Sequence, residues 1–191
     1  MKNFKQYMVE MAKVENRISL NDARKMAGEI ATKAGYKVVL PEKIKADTKF
    51  IRNVMIPTGS IRQGKSTIGD IDFVCTGDFD EWDAEQIPGV EEVWSRGEKQ
   101  IFFNYRSDEG LWRPINVFIL DDPDSFGAFM IHTTGSNTFN IITRRKAKQQ
   151  GLLVNQYGVF NRETQEKLAG ETENSVFDVL GMKWVPPNER V

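Results

Sequence analysis

The chain has 191 residues, of which 40% are hydrophobic and 28% are charged, and its formal net charge is −1. A chain of this size can bury a substantial core, and it has neither an apolar run of about 18 residues nor a basic-then-apolar leader, so we expect no membrane span and a cytoplasmic protein. The charge balance counts against a surface covered in nucleic-acid-binding charge, although basic residues cluster at 43–65 and at 144–148.

Helices and short extended runs are predicted for the first third of the chain. Apolar residues at helical spacing predict an amphipathic helix over 4–14, within an N-terminal helical extension, 1–18. A second helix, with Ser19 or Asn21 as its N-cap, ends at Gly35. Two extended runs follow, over 36–40 and 54–57.

A glycine-containing turn comes next, with the sequence Thr-Gly-Ser-Ile-Arg-Gln-Gly over 58–64. Gly59 lets a backbone approach a ligand closely. Ser60 is a favourable N-cap for a short helix whose free N–H groups would face an anion. Arg62 supplies a bidentate phosphate donor. The turn therefore predicts a phosphate-binding site.

Two aspartates follow the turn at alternate positions. Asp70 and Asp72 run into the apolar segment 73–75, which has the composition of a buried strand. Residues at i and i+2 of a strand face the same side, so the two carboxylates should project together, with Cα atoms roughly 6–7 Å apart. Such a pair suits Mg²⁺ and a triphosphate.

The middle of the chain predicts an acidic connection and then a hairpin. The connection runs from residue 78 to the turn signal Pro88-Gly89, and the hairpin strands cover 99–106 and 112–120. Asn116 falls inside the second strand.

The remainder is richer in helix. One helix begins at Asp122 or Asp124 and stops at 134–136, and a second extends from Ser136 to Gln150. Two further features are predicted, a small hairpin over 152–160 and a helix over 172–180.

The motifs together resemble the family X (polymerase beta-like) DNA polymerases and nucleotidyltransferases. The Gly-Ser-x-Arg-x-Gly and Gly-Asp-x-Asp segments lie upstream, and the downstream matches are His-Thr-Thr-Gly-Ser-Asn over 132–137, Asn-Gln-Tyr-Gly over 155–158 and Ala-Gly-Glu over 169–171. The resemblance implies an α+β fold: a palm with a mixed β-sheet and helices over 19–121, then a small helix-rich nucleotide-binding (thumb/fingers-type) subdomain over 122–191.

The resemblance also implies roles for individual residues. It assigns two Mg²⁺ ions, with Mn²⁺ as a substitute, to Asp70 and Asp72, and catalysis to these two and position 116. It assigns the triphosphate to Gly59, Ser60, Arg62, Gln63 and Gly69. It assigns the incoming nucleotide and its sugar to His132, Thr133, Gly135, Asn137 and Asn140. It assigns template or DNA binding to Arg144, Arg145 and Lys148, and support of a closed form to Asn155 and Tyr157.

Three positions depart from the family pattern. Asn116 replaces a third aspartate, Gln63 replaces a second arginine, and His132-Thr133 replaces an aromatic pair. An amide cannot act as a base and binds a dication poorly, and loss of general-base help typically lowers a rate by about 10²–10⁴. Three explanations stay open for Asn116: a deliberate substitution that traps a substrate complex, a natural non-catalytic relative, or replacement by a nearby acid such as Asp121 or Asp122.

The predicted function is DNA-directed DNA synthesis, in which a dNMP is added to a primer 3′-hydroxyl, in gap-filling repair. The resemblance implies gapped or primed DNA and dNTPs as partners, and a monomeric, minimal polymerase of the viral type. Two alternatives remain: a template-independent or ribonucleotide-tolerant terminal transferase, and a non-catalytic nucleotide- or DNA-binding protein.

Overall fold

The computed structural model of the protein describes residues 17–190, without the side chains of residues 81, 82, 95 and 96, and it has the predicted α+β fold. A six-stranded mixed sheet and its helices are followed by a smaller part made of three helices and three short strands. The helix predicted over 4–14 lies outside the described residues. None of the described helices is long and apolar enough to cross a bilayer.

The large sheet has the order β2-β3-β5-β8-β7-β6. Its strands are β2 (Lys37–Val38), β3 (Val54–Pro57), β5 (Ile71–Cys75), β6 (Val90–Gly97), β7 (Gln100–Arg106) and β8 (Trp112–Ile119). The pairs β2–β3 and β5–β8 are parallel, and the others are antiparallel. The apolar residues of β5 and most of those of β8 are buried, so the two strands that hold Asp72 and Asn116 form the centre of the sheet.

Shorter elements complete the first part. They are β1 (Ile18–Ser19), α1 (Leu20–Lys33), α2 (Gly59–Arg62), β4 (Thr67–Ile68) and α3 (Glu81–Gln86). The Ser19 side chain caps α1 by accepting from the Asp22 N–H, as predicted. Strand β1 pairs with β4, so Ile18, which was assigned to the N-terminal extension, packs on this part of the protein.

The second part begins after a short 3-10 turn. Its elements are α4 (Phe126–Thr134), α5 (Asn137–Gln149), β9 (Leu152–Asn155), β10 (Gly158–Asn161), β11 (Lys167–Ala169) and α6 (Glu173–Val179). Ser136 caps α5 and Thr172 caps α6, each by accepting a backbone N–H. Asp122 caps the 3-10 turn instead of α4 itself, which begins four residues later.

Two local predictions were wrong. The acidic connection is not a simple loop, because it contains α3, capped by Asp80, and continues into β6. Neither element was predicted, because the many charged residues obscure the apolar pattern of a helix or a strand. Ser60 is not an N-cap: α2 begins at Gly59, and Thr58 takes the flanking position without a side-chain cap.

The apolar core falls into a cluster under the sheet, one in the second part, and a third in which Val74 of β5 and Phe129 of α4 both take part.

Candidate active site

The turn at α2 is built around a glycine that lies against a carboxylate. Gly59 has φ +51°, and a Cβ atom placed on it would lie 2.1 Å from Oδ2 of Asp72. Any side chain would therefore be strained by its backbone angle and would collide with Asp72. Glycine at this position brings the backbone of the predicted phosphate-binding turn directly onto the predicted metal-binding carboxylate.

The two aspartates occupy the start of the central strand. Asp70 immediately precedes β5 and Asp72 is its second residue, and both are partly exposed at one cavity. Burial raises the pKa of Asp70, and burial together with the charge of Asp70 raises the pKa of Asp72 to about 7. A site that disfavours two adjacent negative charges is stabilised by a bound dication, and carboxylate oxygens are the ligands that Mg²⁺ prefers.

Asn116 reaches the same place from the neighbouring strand. It is paired with Asp72 in the parallel register of β5 and β8, and its Nδ2 donates to Oδ1 of Asp72 over 2.8 Å. The amide hydrogens thus face the carboxylate. The hydrogen bond uses one of the Asp72 oxygens, and Asn116 adds no negative charge. The described residues contain no group of three or more His, Cys, Asp or Glu side chains arranged to hold a metal.

A cavity of about 570 Å³ lies between the two parts of the protein. On the first part it is lined by Gly59, Ser60, Gln63, Lys65, Asp70, Asp72 and Phe118. On the second part it is lined by His132, Thr133, Thr134, Gly135, Ser136, Asn137, Thr138 and Asn140. The structure therefore brings the predicted metal and nucleotide residues to one cavity, together with three of the five predicted triphosphate residues. Lys65 and Phe118 also line it and were not predicted, because they lie outside the motifs that identified the others.

Arg62 does not line this cavity. Its guanidinium is buried, and Nη1 lies 2.7 Å from Oε1 of Glu173 and 2.7 Å from Oγ1 of Thr134. Glu173 also binds Arg190, whose Nη2 lies 2.7 Å from Oε2. Arg62 is thus part of a buried ion triad that ties α2 to α6 and to Arg190, which follows the 3-10 turn Pro187–Glu189. No local pattern predicted this pairing, because Glu173 is 111 residues away along the chain. Gly69 is buried and also does not line the cavity.

His132 is held by two residues of α5. Asn140 donates from Nδ2 to the His132 carbonyl over 3.0 Å, and Nη2 of Arg144 lies 3.2 Å from Nδ1 of His132. A guanidinium can only donate, so Nδ1 must accept and the ring is neutral. Burial and the charge of Arg144 both lower the pKa of His132. Of the predicted DNA-binding residues, Arg144 thus contacts His132, which was predicted to bind the nucleotide or its sugar, whereas Arg145 and Lys148 are exposed on α5.

Asn155 and Tyr157 shape the turn between β9 and β10. Oδ1 of Asn155 accepts from the Tyr157 N–H over 2.8 Å, and the Tyr157 carbonyl accepts from Ser125 Oγ over 2.8 Å. Neither residue lines the large cavity, but Asn155 lines a small crevice with His132, Asn140 and Arg144. Their support of a closed form stays a prediction.

The chain is similar to known proteins in sequence and in fold. Residues 129–191 match the family described as DNA polymerase beta thumb. The chain is 27% identical over 139 residues to the DNA polymerase/3′-5′ exonuclease PolX of Bacillus subtilis, a match that covers 69% of the chain and 23% of that protein. It is 31% identical over 81 residues to human DNA-directed DNA/RNA polymerase mu, covering 41% of the chain and 16% of that protein. The chain therefore spans less than a quarter of the length of these curated relatives.

Two solved structures share the fold. Both are of Leishmania infantum polymerase beta, one described as a ternary P/T complex and the other as a ternary gap complex. The first has a TM-score of 0.73 and covers 97% of this chain and 80% of that chain; the second has a TM-score of 0.72 and covers 97% and 73%. Each is 18% identical to this chain, so the likeness concerns the fold.

Proposed function

Because the chain belongs to the polymerase beta-like family X of polymerases, we propose that it binds a dNTP and a primed or gapped DNA in the cavity between its two parts, as a DNA-directed DNA polymerase that fills short gaps. The observation that carries the proposal is the convergence of Asp70 and Asp72 with the Gly59 turn and Asn140 at one cavity. The ternary complexes formed by the similar folds support DNA and a nucleotide as the ligands.

The proposed reaction is nucleotidyl transfer. The primer 3′-hydroxyl releases its proton to solvent and its oxygen forms a bond to the α-phosphorus of the dNTP. The bond from that phosphorus to the bridging oxygen breaks, and pyrophosphate leaves. Asp70 and Asp72 would hold Mg²⁺, or Mn²⁺ in its place. When bound, the metal neutralises phosphate charge and lowers the pKa of a coordinated hydroxyl. The family arrangement has two ions.

Side chains of the chain itself would orient the nucleotide. Ser60 and Gln63 can donate hydrogen bonds to phosphate oxygens, and Lys65 adds a positive charge at the same wall of the cavity. Arg62 would act differently from the sequence prediction: its pairing with Glu173 supports a role in holding the turn in place instead of contacting the triphosphate. Asn137 and Asn140, on the opposite wall, would contact the nucleotide.

Asn116 favours a second candidate function, nucleotide and DNA binding without turnover. Its amide cannot accept the proton of the primer hydroxyl, and it donates to Asp72 where a carboxylate would repel it. His132 and Thr133, at the cavity where the family has aromatic residues, leave ribonucleotide tolerance as a variant of the polymerase proposal.

The test is primer extension on a one-nucleotide gapped duplex with Mg²⁺ and four dNTPs. The variants are Asn116→Asp and, as an inactive control, Asn116→Asp with Asp70→Asn. We expect Asn116→Asp to add the templated nucleotide about 10²-fold or more faster than the parent. Templated addition by Asn116→Asp alone supports a polymerase silenced at position 116. Mg²⁺-dependent dNTP binding without extension by either chain supports the binding function, and absence of both dNTP and DNA binding rejects the two together.

A further inference from the structure

The loop that joins β2 to β3 carries a concentration of positive charge away from the candidate active site. Residues 37–52 hold two carboxylates and five cations, so this segment has a net charge of +3, whereas the whole chain has −1. We call the surface formed by the cations the β2–β3 basic surface; they are Lys37, Lys43, Lys45, Lys49 and Arg52. None of them lines the large cavity, and neither the proposed metal site nor the proposed nucleotide site uses them.

The five cations are available to a ligand. All are exposed, and no ion pair within residues 17–190 involves any of them. Of the two carboxylates of the segment, Glu42 faces Arg24 of α1, with 3.6 Å between Oε2 and Nη2, and Asp47 is exposed. Such a local excess of positive charge favours a polyanionic ligand.

The loop is held in place by contacts with the second part of the protein. Ile44 is buried in the third apolar cluster, and Phe50 packs edge-on against Phe126 of α4, with ring centroids 6.0 Å apart. The Ala46 carbonyl accepts from the Asn174 N–H of α6 over 2.8 Å. The cations between these anchors therefore project from a preformed surface, and a ligand that binds them need not order the loop.

Local contacts bring the cations together at two places. The Lys45 N–H donates to Oγ1 of Thr48 over 2.7 Å, and the Thr48 N–H donates to the Lys45 carbonyl over 3.1 Å, so a tight turn places Lys49 near Lys45. In the parallel pair β2–β3, Lys37 lies opposite the first residue of β3, two positions after Arg52. Cations thus lie along the loop and on the edge strand of the sheet.

The composition of the surface indicates which polyanion it fits. Four of the five cations are lysines, which are depleted in protein–protein interfaces, and Leu40, at 41%, is the single exposed large apolar side chain of residues 37–52. Phe50, the one aromatic residue of the loop, already contacts Phe126 and lies under Arg52, 5.8 Å from Cζ to the ring centroid. The surface therefore lacks the exposed rings on which unpaired bases stack, and its lysines suit the phosphates of a duplex.

We propose that the β2–β3 basic surface binds the phosphate backbone of duplex DNA outside the cavity, independently of base sequence and of a primer end. The 3-10 turn Pro41–Lys43 lies beside α2, whose residues Gly59 and Ser60 line the cavity, so DNA bound there stays close to the candidate active site. Contacts to phosphates alone let a protein slide and hop along a duplex. The surface would thus retain the protein on DNA between encounters with a primer end.

The first test measures the affinity of the full chain for a dumbbell duplex, which is closed by a hairpin at each end and has no 3′-hydroxyl to enter the cavity. Fluorescence anisotropy at several salt concentrations compares the parent with Lys43→Gln/Lys45→Gln/Lys49→Gln. We expect this triple variant to bind about tenfold more weakly, and the slope of log affinity against log salt to fall by about 0.9 for each removed cation.

The matched control is Lys25→Gln/Lys99→Gln/Lys183→Gln, which removes the same charge at exposed positions outside the surface. It should change the affinity by less than about twofold, because salt screens exposed charges that do not contact the ligand. Failure of the parent to bind the dumbbell, or equal weakening by the two triple variants, would overturn the proposal.

Lysine acetylation followed by mass spectrometry locates the contact in the parent itself, whether or not the triple variant folds. The dumbbell should slow acetylation of Lys43, Lys45 and Lys49 and leave that of Lys183 unchanged. Equal acetylation of the three lysines with and without DNA would contradict the proposal. Protection of the same lysines by polyglutamate as strong as that by the dumbbell would also overturn it, because the surface would then bind acidic chains in general.

Discussion

Asn116 donates a hydrogen bond to Asp72 across the parallel pair β5–β8, and the 2.8 Å between Nδ2 and Oδ1 makes the amide a partner of the carboxylate. A carboxylate at position 116 would instead face Asp72 with a like charge. The residue at position 116 therefore determines whether the site beside Asp72 is stable without a metal, as with an amide, or needs a bound dication, as with a carboxylate.

Asn116→Asp should lower stability without metal and strengthen metal binding. Loss of the donor to Asp72 leaves a carboxylate with a like charge beside it, and we expect a loss of about 1–3 kcal/mol in the free energy of unfolding in EDTA. Mn²⁺ affinity, measured by electron paramagnetic resonance with a non-hydrolysable dNTP, should rise by about tenfold or more. Asn188→Asp adds the same charge at an exposed position and should change neither quantity. An unchanged Mn²⁺ affinity would contradict the proposed position of the dication.

Gly59→Ala should disrupt the contact between the α2 turn and Asp72. Gly64 provides a matched control, because its φ is +68° but a Cβ there would meet no atom within 4 Å, whereas at Gly59 it would lie 2.1 Å from Asp72 Oδ2. Alanine at either position should cost about 1–2 kcal/mol for its backbone angle. Only Gly59→Ala should add the collision, seen as a further loss of at least about 1 kcal/mol in urea unfolding. Equal losses for the two variants would mean that Asp72 can move aside at little cost.

The aspartate pair and Arg62 show which features of the site could be predicted from the sequence and which could not. Alternate spacing placed Asp70 and Asp72 on one side of a strand, and both line one cavity, because side-chain direction in a strand is a local property. The pairing of Arg62 with Glu173 depends on how two distant segments pack. The residues around Arg62 match a phosphate-binding motif and do not indicate that its guanidinium has a buried partner. Strand β6 was missed for a related reason: its place at the edge of the sheet permits charged side chains that a central strand would exclude.

Glu173→Gln should destabilise the whole protein. The Glu173 carboxylate is buried between Arg62 and Arg190, and its removal leaves two buried cations without a counter-charge. Breaking a buried ion pair in this way typically costs about 3–5 kcal/mol. Asp178→Asn, an exposed change on the same helix, should cost less than about 0.5 kcal/mol. Thermal and urea unfolding measure both, and a loss near that of the control would show that the triad contributes little.

The same triad should make stability depend on pH in acid. Burial alone would raise the pKa of Glu173, but the charges of Arg62 and Arg190 outweigh it and lower the pKa to about 2 from an ordinary value of 4.5. Because the folded state binds this proton less readily than the unfolded state, the contribution is complete above about pH 4.5 and is lost as pH falls toward 2. The difference in unfolding free energy between parent and Glu173→Gln should therefore shrink from pH 5 to pH 3. A constant difference over that range would contradict an ionised Glu173.

Arg144 should set both the tautomer and the pKa of His132. Because Nη2 of Arg144 donates to Nδ1, the neutral ring must carry its hydrogen on Nε2, and burial and the Arg144 charge lower the pKa. His132 is the single histidine of the chain, so its two ring nitrogens can be followed by ¹⁵N NMR without overlap. Arg144→Gln should raise the ring pKa toward 6.5, whereas Arg145→Gln, an exposed change one residue along the helix, should leave it unchanged. A parent spectrum with the hydrogen on Nδ1 would contradict the contact itself, and an equal shift in the two variants would mean that the positive charge of α5, instead of this hydrogen bond, controls the ring.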